Sequence, residues 1–273
     1  MKTKIIAVPL EEGSGMKGSA EIIKFFKKHN INIDIEVIFN RGKNDRETVY
    51  NCCKETKRVV LDCLKDKHFP LVIGGDHALS IGSISAVIQK CDISIIWFDA
   101  HPDINTPSSS ISKRIHGMPL ATLMKNGYPE LSMFAQDKEI KKEDIIYIGV
   151  RNFDPYEKQY ISENNIALYT DSYIQNHSLE QIFDRMKKII IKPVHISFDL
   201  DVINPNFCPG VNTPVVNGLS LMQAKRIIDF LFNSYNVVSM DLVEYNPLKD
   251  NNDVTIKIIK EIIETVIEKV RCY

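Results

Sequence analysis

The stretch "IIWFDAHPDIN", residues 95–105, sets an unbroken apolar run, Ile95 to Phe98, against Asp99, His101 and Asp103. A short apolar run of this kind reads as a strand buried on both faces, and such strands belong to parallel sheets covered by helices. The three polar residues that end it are spaced two apart. In extended chain, side chains at i, i+2 and i+4 share one face, so these three are expected to converge on one point. Two carboxylates and an imidazole gathered at a buried strand end ask for a partner of opposite charge.

Outward from this stretch the same pattern recurs. Further strands are expected at "KIIAVPL" (4–10), "IDIEVIF" (33–39), "PLVIGG" (70–75), "DIIYIGV" (144–150), "IALYT" (166–170), "VHISFDLD" (194–201) and "VVSMDLVEY" (237–245). Amphipathic stretches lie between most of them, including "SAEIIKFFKKHN", "RETVYNCCKETKRVVLDCLKDK" and, near the end, "DVTIKIIKEIIETVIEKV" with apolar residues at 3–4 spacing. Strand and helix in alternation predict an α/β fold, a mostly parallel sheet with helices on both faces. No repeat or low-complexity linker interrupts residues 1–273, so one α/β domain is expected. In such folds ligands bind beyond the C-terminal ends of the strands.

That rule selects four strand ends. "LVIGGDHALSIGS" offers His77, "IIWFDAHPDIN" offers Asp99, His101 and Asp103, "VHISFDLDVINP" offers Asp199 and Asp201, and "VVSMDLVEYNP" offers Asp241 and Glu244. Asp99, His101 and Asp103 facing Asp199 and Asp201 would repel or stay unsatisfied without cations. Two divalent ions held by bridging carboxylates would resolve this and activate a shared water. A ligand set of oxygen and nitrogen without thiolate favours a hard or borderline ion such as Mn²⁺. Plainer readings apply elsewhere. Asp76 lies on the other side of the chain from His77 and reads as a turn residue. His195, four residues deeper than Asp199, reads as a satisfied core histidine, and Asp241 as a structural acid.

Composition narrows the function classes. The chain has 273 residues, 44% hydrophobic and 25% charged, with a formal net charge of −1. This is ample for a large core and gives no sign of a nucleic-acid partner. The six cysteines form no CxxC pair, so reduced thiols and a cytoplasmic location are expected. "MKTKIIAVPLEEG" has an apolar stretch too short for a signal peptide, and no run reaches the length of a membrane span.

"GGDHALS", "DAHPDINTP", "SFDLDVINP" and "EYNP" together resemble the signature segments of the ureohydrolase family, which comprises arginases, agmatinases, formiminoglutamases and relatives. The match runs in order through "IGVRNFDP" to the final helix. It implies a three-layer α/β/α fold with two Mn²⁺ per chain. On the resemblance, His77, Asp99, Asp103 and Asp199 hold one ion, and Asp99, His101, Asp199 and Asp201 the other. The segment "DINTPSSSISKRIHG" is most similar to the arginase form. It implies that Asn105, Ser110 and Ser112 contact a substrate α-carboxylate and that Asp154, with Glu157 close by, contacts the α-amino group. Glu244 would pair with the guanidinium, Thr213 would help polarise the same region, Asp103 would pass a proton to the leaving amine, and His116 would act as proton shuttle. The implied reaction is hydrolysis of L-arginine to L-ornithine and urea by a metal-bridging hydroxide. The implied assembly is a homo-oligomer, a trimer or hexamer.

The chain departs from the arginase pattern at "SKR", where "SGN" is usual, which places Lys113 and Arg114 at the expected mouth of the site. Asn212 and Asn217 stand where glycine is usual. These departures keep other readings open: a ureohydrolase for agmatine, a guanidino acid or formiminoglutamate, a binuclear phosphoesterase, or a metal-binding homologue without activity.

Overall fold

The computed structural model describes residues 1–272. Among them, eight strands form one sheet: β1 (Lys2–Val8), β2 (Ile35–Glu36), β3 (His68–Gly74), β4 (Ser94–Phe98), β5 (Ile145–Ile148), β6 (Ala167–Tyr169), β7 (Val194–Asp199) and β8 (Val237–Val243). Their spatial order is β2-β1-β3-β8-β7-β4-β5-β6, and every pairing is parallel. The sheet is thus wholly parallel, where the sequence suggested mostly so. All eight expected strands are present. The stretch 33–39 contributes only two residues, paired as Ile6 with Ile35 and Ala7 with Glu36 at the sheet edge.

Alternation along the strands feeds two cores. Ile5, Ala7, Ile96 and Phe98 face helices Ile22–Lys28, Leu179–Ile189, Leu221–Ser234 and Val254–Arg271. Ile6, Val8, Ile95 and Trp97 face helices Asp45–Lys65, Ser80–Ile88 and Pro119–Leu123. The run Ile95–Phe98 is apolar throughout because both of its faces are covered. Helix Asp45–Lys65 starts where Asn44 accepts a hydrogen bond from Glu47 N at 3.0 Å, with Asp45 and Glu47 favourably placed at its N-terminus. It packs closely on helix Ser80–Ile88, and a Cβ at Gly82 would stand 2.4 Å from the Cys53 carbonyl oxygen. That close approach seats the turn carrying His77 against the end of β3.

Because every strand is parallel, all C-terminal ends lie at one edge of the sheet. The central strands β8, β7 and β4 are neighbours, so their ends deliver Glu244, Asp199 and Asp99 side by side. Among the described residues, no helix is long and apolar enough to cross a membrane.

Candidate active site

The acidic residues at the strand ends are shaped by turns. β4 stops at Phe98, and Asp99 Oδ1 accepts from His101 N at 2.7 Å. β7 ends at Asp199, whose Oδ1 accepts from Asp201 N at 2.7 Å. The two turns are tied together, since Ala100 N donates to Asp201 Oδ1 at 3.0 Å. Asp103 adopts a left-handed backbone with φ of 51°, and Glu244 does the same with φ of 66°. Convergence therefore comes from turns and one reversal of the chain, and the extended spacing expected of residues 99–103 is not what achieves it. Side chains in that region of φ cost about 1–3 kcal/mol and are held there by their surroundings.

His77 Nδ1 lies 3.1 Å from Asp199 Oδ2, 3.2 Å from Asp99 Oδ2 and 3.2 Å from Asp103 Oδ2. His101 Nδ1 lies 3.0 Å from Asp201 Oδ2 and 3.3 Å from Asp99 Oδ1. Two groups result, His77–Asp99–Asp199 and Asp99–His101–Asp201, each with its ligand atoms within 4.8 Å of one another. Asp99 belongs to both groups. Asp199 belongs to the first, and Asp103 joins through His77.

This donor set fits divalent cations. Burial, then repulsion from Asp99, pushes Asp103 up to about 6. Burial and the neighbouring Asp201 and Asp99 push Asp199 well above the carboxylate range. Burial would lower both imidazoles, yet the surrounding carboxylates outweigh it and raise His77 and His101 well above the ordinary histidine value. Burial would raise Asp201, yet His101 holds it down at about 2, so protons on the other groups offset only part of the cluster's charge. Metal ions can take their place, and an all-oxygen and nitrogen set suits a hard or borderline one.

Several supporting residues escaped the sequence reading. The His77 ring stacks on Trp97, centroids 4.1 Å apart, and its Nε2 lies 2.8 Å from Ser197 Oγ. Trp97 Nε1 donates to Asp99 Oδ2 at 3.0 Å. Such contacts fix the ring and the ligand atom it presents. Ser197 sits two residues before Asp199 on the same strand face, which is the one signal that could have found it. Asn212 Nδ2 donates to Glu244 Oε2 at 3.0 Å, and His77 N donates to Glu244 Oε1 at 2.9 Å. His116 Nδ1 lies 3.2 Å from Glu244 Oε1. Burial would lower His116, but Glu244 beside it prevails and lifts it to about 9. Thr213 Oγ1 donates to Asp201 Oδ2 at 3.2 Å.

Above this floor lies a cavity of about 340 Å³. Its wall includes Asn105, Ser110, Ser112, Asp154, Glu157 and Thr213 together with His101, Asp103, His116 and Asp199. Asn105 Nδ2 donates to Asp154 Oδ2 at 2.9 Å. Glu157 accepts from Ile104 N at 3.1 Å and Asp154 N at 3.0 Å, so its oxygens anchor the loop to helix Pro155–Glu163. Lys113 does not occupy the mouth as expected. Its left-handed backbone turns Nζ onto the carbonyls of Pro107 at 2.9 Å and Ser108 at 3.2 Å, which braces the serine loop.

His195 is only half satisfied. Its Nδ1 lies 2.8 Å from Ser239 Oγ, and its Nε2 has no hydrogen-bond partner, 3.5 Å from Asp241 Oδ2. Asp241 is the structural acid expected, accepting from Ser80 Oγ at 2.8 Å and from Ser83 Oγ.

Arg151 fastens the loop after β7. Its guanidinium donates to the carbonyls of Asp201 at 2.7 Å, Val215 and Val216 at 3.0 Å, and Val202 and Gly149 at 3.3 Å. Arg151→Met would leave these acceptors without their charged donor. A loss of about 2–4 kcal/mol is expected, read as a lower denaturation midpoint in guanidinium chloride. A midpoint equal to the parent's would show that the carbonyls find other donors.

The profile of the arginase family matches residues 9–268. The chain belongs to the arginase family. It is 39% identical over 197 residues to an arginase of Staphylococcus aureus, across 70% of this chain, and that alignment spans 65% of the relative's length. With the arginase of Bacillus subtilis it shares 35% identity over 210 residues, 76% of this chain and 71% of the relative. The crystal structure of Entamoeba histolytica arginase in complex with L-ornithine superposes with a TM-score of 0.88 at 27% identity, covering 97% of this chain and 99% of that one. Family and fold thus agree with the strand-end motifs that carried the resemblance.

Proposed function

We propose that the protein hydrolyses the guanidino group of L-arginine, giving L-ornithine and urea, with two Mn²⁺ held by His77, Asp99, His101, Asp103, Asp199 and Asp201. The observation that carries this reading is the pairing of two carboxylate–imidazole groups sharing Asp99 with a cavity lined by Asn105, Ser110, Ser112 and Asp154. Divalent ions bound there supply Lewis acidity that brings the pKa of water towards neutrality, which a poor electrophile such as the guanidinium carbon requires.

The chain's own residues do the rest. Glu244, fixed by Asn212 and the His77 amide, receives the guanidinium at the floor. Asp103, held at φ 51°, orients the attacking water and passes its proton to the leaving amine. His116, kept protonated at neutral pH by Glu244, relays protons between the floor and solvent. Thr213 holds Asp201 and borders the same space. Asn105, Ser110 and Ser112 offer amide and hydroxyl donors to a carboxylate, while Asp154 suits an ammonium group. Glu157 supports this wall by anchoring the loop. The reading extends to a cytoplasmic enzyme assembled as a homo-oligomer.

A phosphoesterase is disfavoured because Arg114 is the one Lys or Arg side chain in the cavity wall. Another guanidino substrate is the reading to separate, and Arg114 itself motivates it. The test is urea release by purified, Mn²⁺-loaded protein with L-arginine and agmatine compared. The expected result is urea from L-arginine, with agmatine at least about tenfold poorer in kcat/KM, the size of one lost charge-assisted contact. Urea from agmatine at the same efficiency would remove the amino-acid wall from the mechanism. Urea from neither would remove arginine hydrolysis.

A further inference from the structure

The wall of the substrate cavity carries four carboxyl groups, those of Asp103, Asp154, Glu157 and Asp199. Arg114 is its single permanent cation, and it also lines a second cavity of about 430 Å³ on the far side of the serine loop. Among the described residues, the Arg114 guanidinium makes no hydrogen bond and no ion pair. Only its backbone N–H is engaged, donating to Ser112 Oγ at 3.3 Å. Most charged neighbours of the second cavity are held elsewhere. Glu12 pairs with Arg41, and Arg46 pairs with Glu130 at 3.0 Å. Asp45 occupies the first turn of helix Asp45–Lys65, where a negative charge is favoured.

The neighbouring Lys113 shows how differently the two departures from "SGN" are used. Lys113 spends its charge on two loop carbonyls outside the cavity. That bracing leaves Arg114 on the cavity side, beside Ser110 and Ser112. An Arg fork next to hydroxyl donors is a carboxylate receptor, and a planar guanidinium binds a carboxylate with two parallel hydrogen bonds.

We infer that Arg114 is a specificity-determining residue whose guanidinium receives the substrate's carboxylate at the mouth of the cavity. It selects guanidino compounds that carry a carboxylate at the end remote from the guanidino group; it repels those that end in a bare cation and gains nothing from those that end without charge. This rests on the proposed guanidino hydrolysis, with the guanidinium on Glu244. The uncommon residue at this position then sharpens the preference for an amino-acid substrate.

The test uses Mn²⁺-loaded full chain as the parent, Arg114→Ala and Arg114→Lys, each checked for metal content. For Arg114→Ala, KM for L-arginine should rise about 10- to 100-fold with kcat within about twofold, the pattern of lost uniform binding. KM for agmatine should stay level or fall, because a repelling charge has gone. Arg114→Lys, which keeps the charge without the fork, should fall between parent and Arg114→Ala. Calorimetric binding of L-ornithine against putrescine repeats the comparison without turnover. An unchanged KM for L-arginine in Arg114→Ala, or an equal rise for both substrates, overturns the inference while leaving arginine hydrolysis standing. Parent protein that binds L-ornithine through Arg114 but releases no urea would instead overturn the hydrolysis and keep the receptor. If L-ornithine binds parent and Arg114→Ala alike, the receptor is overturned whatever the urea assay gives.

Discussion

Asp201→Ala is expected to bind about one metal ion per chain in place of the proposed two, and to lose at least about 100-fold in urea production, since even residues that only support a metal ligand cost 10- to 100-fold when removed. Asp201 Oδ2 faces His101 Nδ1 at 3.0 Å, and its Oδ1 takes the Ala100 amide. Alanine deletes a ligand of the Asp99–His101–Asp201 group and leaves His101 with Asp99 alone. The His77 group loses none of its own side chains, so the effect should fall on one ion. Metal analysis after gel filtration, run beside initial rates, checks both halves. Full turnover with a single bound ion would overturn the two-ion mechanism.

Glu244→Gln should reduce kcat/KM for L-arginine by about 100- to 1,000-fold, the scale of breaking a buried charged pair, with metal content unchanged. Gln keeps the shape but removes the charge that the guanidinium needs, and it presents an NH₂ group to one of two donors, His77 N or Asn212 Nδ2. The pH profile should change as well. Glu244 holds the His116 imidazole up to about 9 against the lowering effect of burial, so the parent keeps that proton through neutrality. Without the carboxylate the proton leaves nearer the ordinary histidine value, and residual activity should decline at lower pH than in the parent. A kcat/KM within tenfold of the parent, with an unmoved basic limb, would take Glu244 out of the reacting centre.

Much of the fold was legible because both faces of the sheet are covered. The run Ile95–Phe98 has one polar-free reading, and the same holds for residues 71–73 and 145–148, which are buried throughout. The edge was less legible. "IDIEVIF" alternates well enough for a seven-residue strand, yet only Ile35 and Glu36 pair, with β1 as their single neighbour. In the site, the residue types at strand ends pointed to metal chemistry, but the geometry behind them did not follow from spacing. Extended alternation would bring Asp99, His101 and Asp103 together, whereas the chain uses a carboxylate-capped turn and a left-handed residue. Lys113 was misplaced for a related reason: a positive φ turns its side chain away from the direction its neighbours suggest. Asn212 and Arg151 could not be read as support because their partners lie 32 and 50 residues away.

The two left-handed acids bear on what this chain would become if its chemistry were no longer needed. Asp103 and Glu244 are both buried, both charged groups in water, and both in backbone conformations that glycine or asparagine adopts more easily. Burial and backbone strain cost folding stability at both, offset at Glu244 by the hydrogen bonds from the His77 amide and Asn212. Asparagine or glycine at either position is expected to relieve the backbone, at the expense of the proposed hydrolysis. This chain carries both, beside the five other side chains of the strand-end cluster, and so keeps what the proposed hydrolysis requires.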